Sequence, residues 1–199
     1  MKKLLIIGLL LLISYSNQAQ VIHSDTSERW YKPTHASLQY AGGFGLLAAG
    51  VGYDFFKDRM SFDILFGYLP KSVGGVRIFS LNTKTVYKPY TFSFKKNFAV
   101  VPFNVGIITT HAFGKEYSSI DKSGKYPDGY YWWPGNTRIG PSFGQNYYYS
   151  FQRKQKMHSL EIYWDFHAND FGLYSYFDNK KVKIKDIFSF DIGLRWYFY

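Results

Sequence analysis

His35 and Ser37 stand two residues apart, a spacing that on an extended strand puts an imidazole and a hydroxyl on one face. An imidazole within reach of a hydroxyl can take its proton, the first step of ester hydrolysis through a serine nucleophile. That chemistry also calls for a carboxylate behind the histidine, and no acid is expected at a suitable distance on the next extended segment. His158 and Ser159 are neighbours, so a strand sends them to opposite faces. His35, Ser37 and His158 are thus catalytic candidates without a complete set of partners. His111 and His167, with Asp121, Asp128 and Asp170, supply donor types that bind divalent metals. They share no ligand spacing on a common element, so solvated loops are expected there, with no metal and no other cofactor.

The elements that must position these groups show a period of two. From Phe188 the chain reads FSFDIGLRWYFY, with Phe188, Phe190, Ile192, Leu194, Trp196 and Phe198 on one face. Ser189, Asp191, Gly193, Arg195 and Tyr197 fall on the other. The same alternation runs through 157–167, 60–69, 47–55 and 99–109, and more weakly through 35–44, 79–89 and 137–151. In 99–109 it sets Ala99, Val101, Phe103, Val105 and Ile107 against Val100, Pro102, Asn104, Gly106 and Ile108. Helical spacing is not sustained anywhere after the first twenty residues. Eight strands result. Short connections around 57–59, 93–97 and 152–156 alternate with longer ones at 70–78, 114–136 and 169–186, and only the first, around 42–45, is short where a long one is due. Residues 171–177 and 181–187 could instead pair as a further hairpin, giving ten strands; extension of the last two strands is the preferred reading.

Residues 1–20 have the layout of a cleaved secretory signal: Lys2 and Lys3, an apolar run from Leu4 to Ile13, then small and polar residues. The cut could follow Ser16 or fall near Ala19 and Gln20. Cysteine is absent, which excludes disulfides, thiolate metal sites and a lipid anchor on cysteine. Of 24 basic residues, removing Lys2 and Lys3 leaves 22 against 14 acidic ones, about +8. For an exported chain this favours anionic lipid or surface polysaccharide over nucleic acid, with solvated turns as the simplest place for the excess lysine. Aromatic residues make up 22% of the chain, with 19 Tyr and 19 Phe. No apolar run of the mature chain is long enough for a membrane helix, so only a closed sheet could cross a bilayer.

Strict alternation with apolar residues on one face and charge on the other, sorted loop lengths and abundant aromatics are the pattern of a transmembrane barrel. Its inward face would carry Asp54, Asp63, Glu161, Asp165, Asp191 and Arg195, joined by Lys84 and Arg138. An eight-stranded barrel is filled by its side chains, so these charges are expected to pair as a plug, with a proton or ion path as the alternative.

The chain's end resembles the assembly signal of outer-membrane barrel proteins of Gram-negative bacteria: Gly193 is followed three and five residues later by Trp196 and Phe198, and Tyr199 closes the chain. Ile192 stands where that signal usually has a polar residue, and the chain runs one residue past the matching aromatic. The resemblance implies a small up-and-down antiparallel barrel of the OmpA/OmpX-like class, with short periplasmic turns and longer extracellular loops. It implies 1–20 as signal peptide, 21–34 as a periplasmic segment and 35–199 as the barrel, exported to the outer membrane. Partners would be outer-membrane lipid and lipopolysaccharide, the barrel-assembly machinery, and a surface glycan or protein, with no nucleic acid. The loop 114–136 holds a Pro-Asp-Gly turn followed by Tyr130, Tyr131, Trp132 and Trp133, which could stack on sugars, meet a protein, or fold over the mouth. The expected role is structural or surface-interacting, with a filled lumen. Alternatives are a narrow pore and a barrel enzyme acting on lipid A or phospholipid acyl chains. Outer-membrane deacylases pair a histidine with a serine two residues on, as His35 and Ser37 do here.

Overall fold

The computed structural model describes residues 31–41, 45–95, 97–114, 136–153 and 156–198. The signal-peptide reading of 1–20, most of the 21–34 segment, the loop residues Tyr130, Tyr131, Trp132 and Trp133, and Asp121 and Asp128 lie outside the described residues.

Nine strands form in chain order: β1 (His35–Ala41), β2 (Leu47–Phe55), β3 (Met60–Leu69), β4 (Ile78–Tyr87), β5 (Phe92–Lys95), β6 (Phe98–Phe113), β7 (Thr137–Arg153), β8 (Lys156–Ala168) and β9 (Phe188–Phe198). Every pairing is antiparallel. β9 returns to β1, and β4 pairs with β6, so eight strands close an up-and-down barrel and β5 is left as an extra flap on the start of β6. Closure removes the open sheet edges that would otherwise need covering. The eight strands are those that the alternation picks out. β5 is an addition: the connection from β4 to β6 folds back as a four-residue strand against Val100 and Ala99 before β6 begins.

Buried residues recur at every second position through β3 and β4, and in β2, β8 and β9 with single departures at Gly50, Ala168 and Ser189. In β6 it does not. Val101 faces Asn146 and Asn104 faces Gly144, so Pro102 and Phe103 together oppose one residue of β7. This bulge reverses the phase expected from the sequence: Ala99 and Val101 point inward before it, and Asn104 and Ile108 after it. Pro102 has no N–H to give the ladder, which makes it a natural place for the break.

The long connection before β9 is also different from expectation. It contains neither strand extensions nor a further hairpin but two helices, α2 (Asp170–Asp178) and α3 (Ile184–Ile187); a third short helix, α1 (Lys71–Gly74), lies between β3 and β4. The side chain of Asn169 accepts a hydrogen bond from the Gly172 N–H and so starts α2. The β2–β3 turn is tight in another way: Phe56, Lys57 and Asp58 all take positive φ, at 54°, 59° and 63°.

The barrel is polar inside and apolar outside. Buried among the described residues are mostly Ser, Asn, Asp, Glu, Lys, His and Arg, with a small apolar cluster of Ala48, Leu65 and Ile108. The outward faces expose Leu38, Leu47, Val51, Phe66, Phe103, Ile107, Ile162, Ile192 and Leu194.

Candidate functional site

The inward face of the barrel assembles the charged residues expected there into two linked clusters. In the first, the Arg195 guanidinium donates through Nε to Asp63 Oδ1 (3.2 Å) and through Nη2 to Asp63 Oδ2 (2.7 Å), a forked pair. Its Nη1 donates to Glu161, which also accepts from the Tyr197 hydroxyl and the Asn146 amide. Asp63 accepts further from Ser37, and His35 joins Asp63 (Nε2, 2.9 Å) to Asp54 (Nδ1, 3.1 Å). Lys88 closes this cluster by donating to Asp54 Oδ1 at 3.1 Å.

In the second cluster Lys84 Nζ reaches Asp165, Asp191 and Gln39. Asn104 donates to Asp165 at 3.2 Å, and His167 Nδ1 meets Asp191 at 2.9 Å. Tyr163 stands between the clusters. The Lys84 ammonium lies 4.2 Å from its ring centroid and the Arg195 guanidinium carbon 4.5 Å, while its hydroxyl donates to Gln39. The ring has room only because β9 places Gly193 opposite it: a Cβ on Gly193 would run into the Tyr163 ring and hydroxyl.

Asp54, Asp63, Glu161, Asp165, Asp191 and Arg195 therefore all face the lumen and are brought together, with Lys84 among them. Their burial follows from β-strand parity: each sits at an even offset from the others on its own strand. Arg138 is the exception. It lies half-exposed at the end with the longer connections, 3.7 Å from Asp170 and over the Phe171 ring, away from both clusters. Lys88 is not among the expected lumen charges, although the alternating segment 79–89 contains it; the strand itself ends at Tyr87. The signal was present, since it continues the inward parity of Lys84 and Val86. Its ammonium is buried inside the barrel and held by the Asp54 carboxylate and the Tyr148 hydroxyl. Gln39, Asn104, Asn146 and Tyr197 share that parity signal.

The catalytic candidates separate. His35 and Ser37 do share a face, and carboxylates do lie within reach of His35, contrary to the expectation from sequence: β2 and β3 bring Asp54 and Asp63 to it. Ser37, however, donates to the same Asp63 oxygen that His35 contacts. The hydroxyl proton thus faces a carboxylate and not the imidazole, and both side chains are fully enclosed. His158 lies on the outer wall, 5.8 Å from Phe151 and 6.1 Å from Trp196 between ring centroids. Ser159 points inward, as adjacency demands.

His111 and His167 do not converge. His167 is inside on Asp191, whereas His111 bonds Thr137 at 2.8 Å, and among the described residues no group of three His, Asp or Glu could hold a metal. Of the end signal, Gly193 faces inward while Trp196 and Phe198 face outward, Trp196 edge-on to Phe151 at 5.7 Å. What this arrangement can do chemically is pair buried charges across distant strands inside the barrel. No family model, curated protein or solved structure matches the chain.

Proposed function

We propose that this chain is an integral outer-membrane barrel whose lumen is closed by paired side chains and whose work lies in its longer connections, at the cell surface. The observation that carries the reading is the inverted distribution of polarity. The side chains of Leu38, Phe66, Phe103, Ile107 and Ile162 are 46% to 67% exposed on the outer wall, while Arg195, Lys84, Asp63 and Glu161 are fully buried. Covering one such large apolar side chain is worth about 1.5–3 kcal/mol, so a wall of them is stable against lipid and costly in water. The aromatics support the same reading. Tyr53, Phe55, Tyr149, Phe151 and Trp196 gather toward the end with the short turns, and Tyr40, Tyr68, Phe79, Phe166 and Phe190 toward the other, as interfacial girdles do.

Lipid and lipopolysaccharide would surround the wall, the barrel-assembly machinery would insert it, and a surface glycan or protein would meet the loops. The test is fractionation of a Gram-negative host expressing the full chain. Recovery with the outer membrane, and a band that migrates differently before and after boiling, is expected. A mature protein soluble in the periplasm refutes the proposal.

A further inference from the structure

The connection from β8 to β9 presents an aromatic face and a run of lysines that the lumen does not use. On α2, Phe171, Tyr174 and Phe177 recur every third residue and are 63%, 69% and 81% exposed. Lys180, Lys181, Lys183 and Lys185 follow within six residues, and all are exposed. Two of the acids in this segment are engaged locally: Asp170 lies 3.7 Å from Arg138, and Asp186 accepts from the Lys183 backbone N–H at 3.2 Å. That leaves the lysines as the dominant outward charge.

The wall just below, on the two strands this connection joins and on neighbouring β7, is also aromatic. Phe166 lies 5.3 Å from Phe190 and 5.8 Å from Phe143, and Phe143 meets Phe188 at 5.7 Å between ring centroids. Exposed aromatic rings next to a run of lysines, above an aromatic stretch of the wall, match the boundary between acyl chains and charged headgroups. Resting on the membrane reading above, we infer that this connection seats on net-anionic, phosphate-bearing lipid headgroups of the surrounding leaflet. The aromatic face enters the acyl boundary, and the lysines pair with the phosphates. A zwitterionic headgroup such as phosphatidylcholine carries a phosphate already balanced by its own choline cation, so preference for net-anionic phosphorylated lipid is the property to measure.

The experiment uses the full mature chain folded in detergent micelles, with native mass spectrometry of added diphosphorylated lipid A against phosphatidylcholine. Wild-type barrel is expected to retain lipid A about ten-fold in preference. Replacing Lys180, Lys181, Lys183 and Lys185 by Gln should bring this below about two-fold while the boiling-dependent gel shift persists. Replacing Lys57 and Arg59 by Gln, at the opposite end, should leave it intact. F171S/Y174S/F177S should weaken retention of both lipids alike. An unchanged preference in the four-lysine variant overturns the inference, as does displacement of lipid A by an equal concentration of inorganic pyrophosphate. A dimer that disappears in the aromatic variant overturns it in favour of a second copy of this chain. A barrel that fractionates with the membrane yet shows no preference defeats this inference alone; a chain recovered soluble defeats the membrane reading as well.

Discussion

The two charge clusters of the lumen achieve burial by different means. Around Arg195, one guanidinium fork engages Asp63 through two N–H groups and Glu161 through a third. Around Lys84, a single ammonium contacts two carboxylates and an amide, and the amides nearby are incompletely bonded: Gln39 Nε2, Asn82 Oδ1 and Asn104 Oδ1 have no hydrogen-bond partner among the described residues. A planar fork fixes direction as well as charge, whereas an ammonium acts as a point charge. The difference implies that the Arg195 cluster sets the geometry of the barrel and the Lys84 cluster adapts to it.

Equilibrium urea unfolding in lipid vesicles can break that comparison. Arg195→Met should have the largest effect, a loss of about 4 kcal/mol, because it removes three charged hydrogen bonds and the guanidinium from two buried carboxylates at once; Arg195→Lys should recover little of it. Lys84→Met should cost about 3 kcal/mol, since Asn104 and His167 still serve Asp165 and Asp191. A larger loss at Lys84 than at Arg195 would reverse the assignment. Gly193→Ala should cost about 2 kcal/mol by forcing the Tyr163 ring out from between the two cations. Asn82→Leu should cost about 1 kcal/mol, because it removes the amide's bonds to the Leu65 carbonyl and the Ser80 hydroxyl while relieving a buried amide oxygen. Outside both clusters, Lys57→Gly should gain about 0.5 kcal/mol by relieving a left-handed residue at φ 59°.

The parts of the fold legible in the sequence were those governed by parity alone. Strands β2, β3, β8 and β9 could be read because all but single residues obey the two-sided environment, and the same rule delivered Asp63, Glu161, Asp165, Asp191 and Arg195. It failed where backbone chemistry intervenes. Pro102 marked a bulge that parity cannot count across, and β5 is too short to display a period. The 170–178 segment looked like strand because its aromatics are dense, yet Asn169 caps a helix there. Contacts across the barrel were illegible for another reason. Nothing local in His35 tells that Asp54 and Asp63 will arrive beside it, so its carboxylate partners went unforeseen.

Tyr163 and its two flanking cations also bear on the order of events during assembly. Lys84 comes from β4, Tyr163 and Glu161 from β8, and Asp191 and Arg195 from β9, which follows the others in chain order and pairs with both β8 and β1. Until β9 arrives, Asp63 and Glu161 have no guanidinium and Lys84 lacks one of its carboxylates. An open seven-stranded sheet would therefore present unmatched charge on its concave side, and partial structures have little to hold them. Closure by the final strand then acts as a single late event, with β9 joining the sheet edges and neutralising the interior in one step.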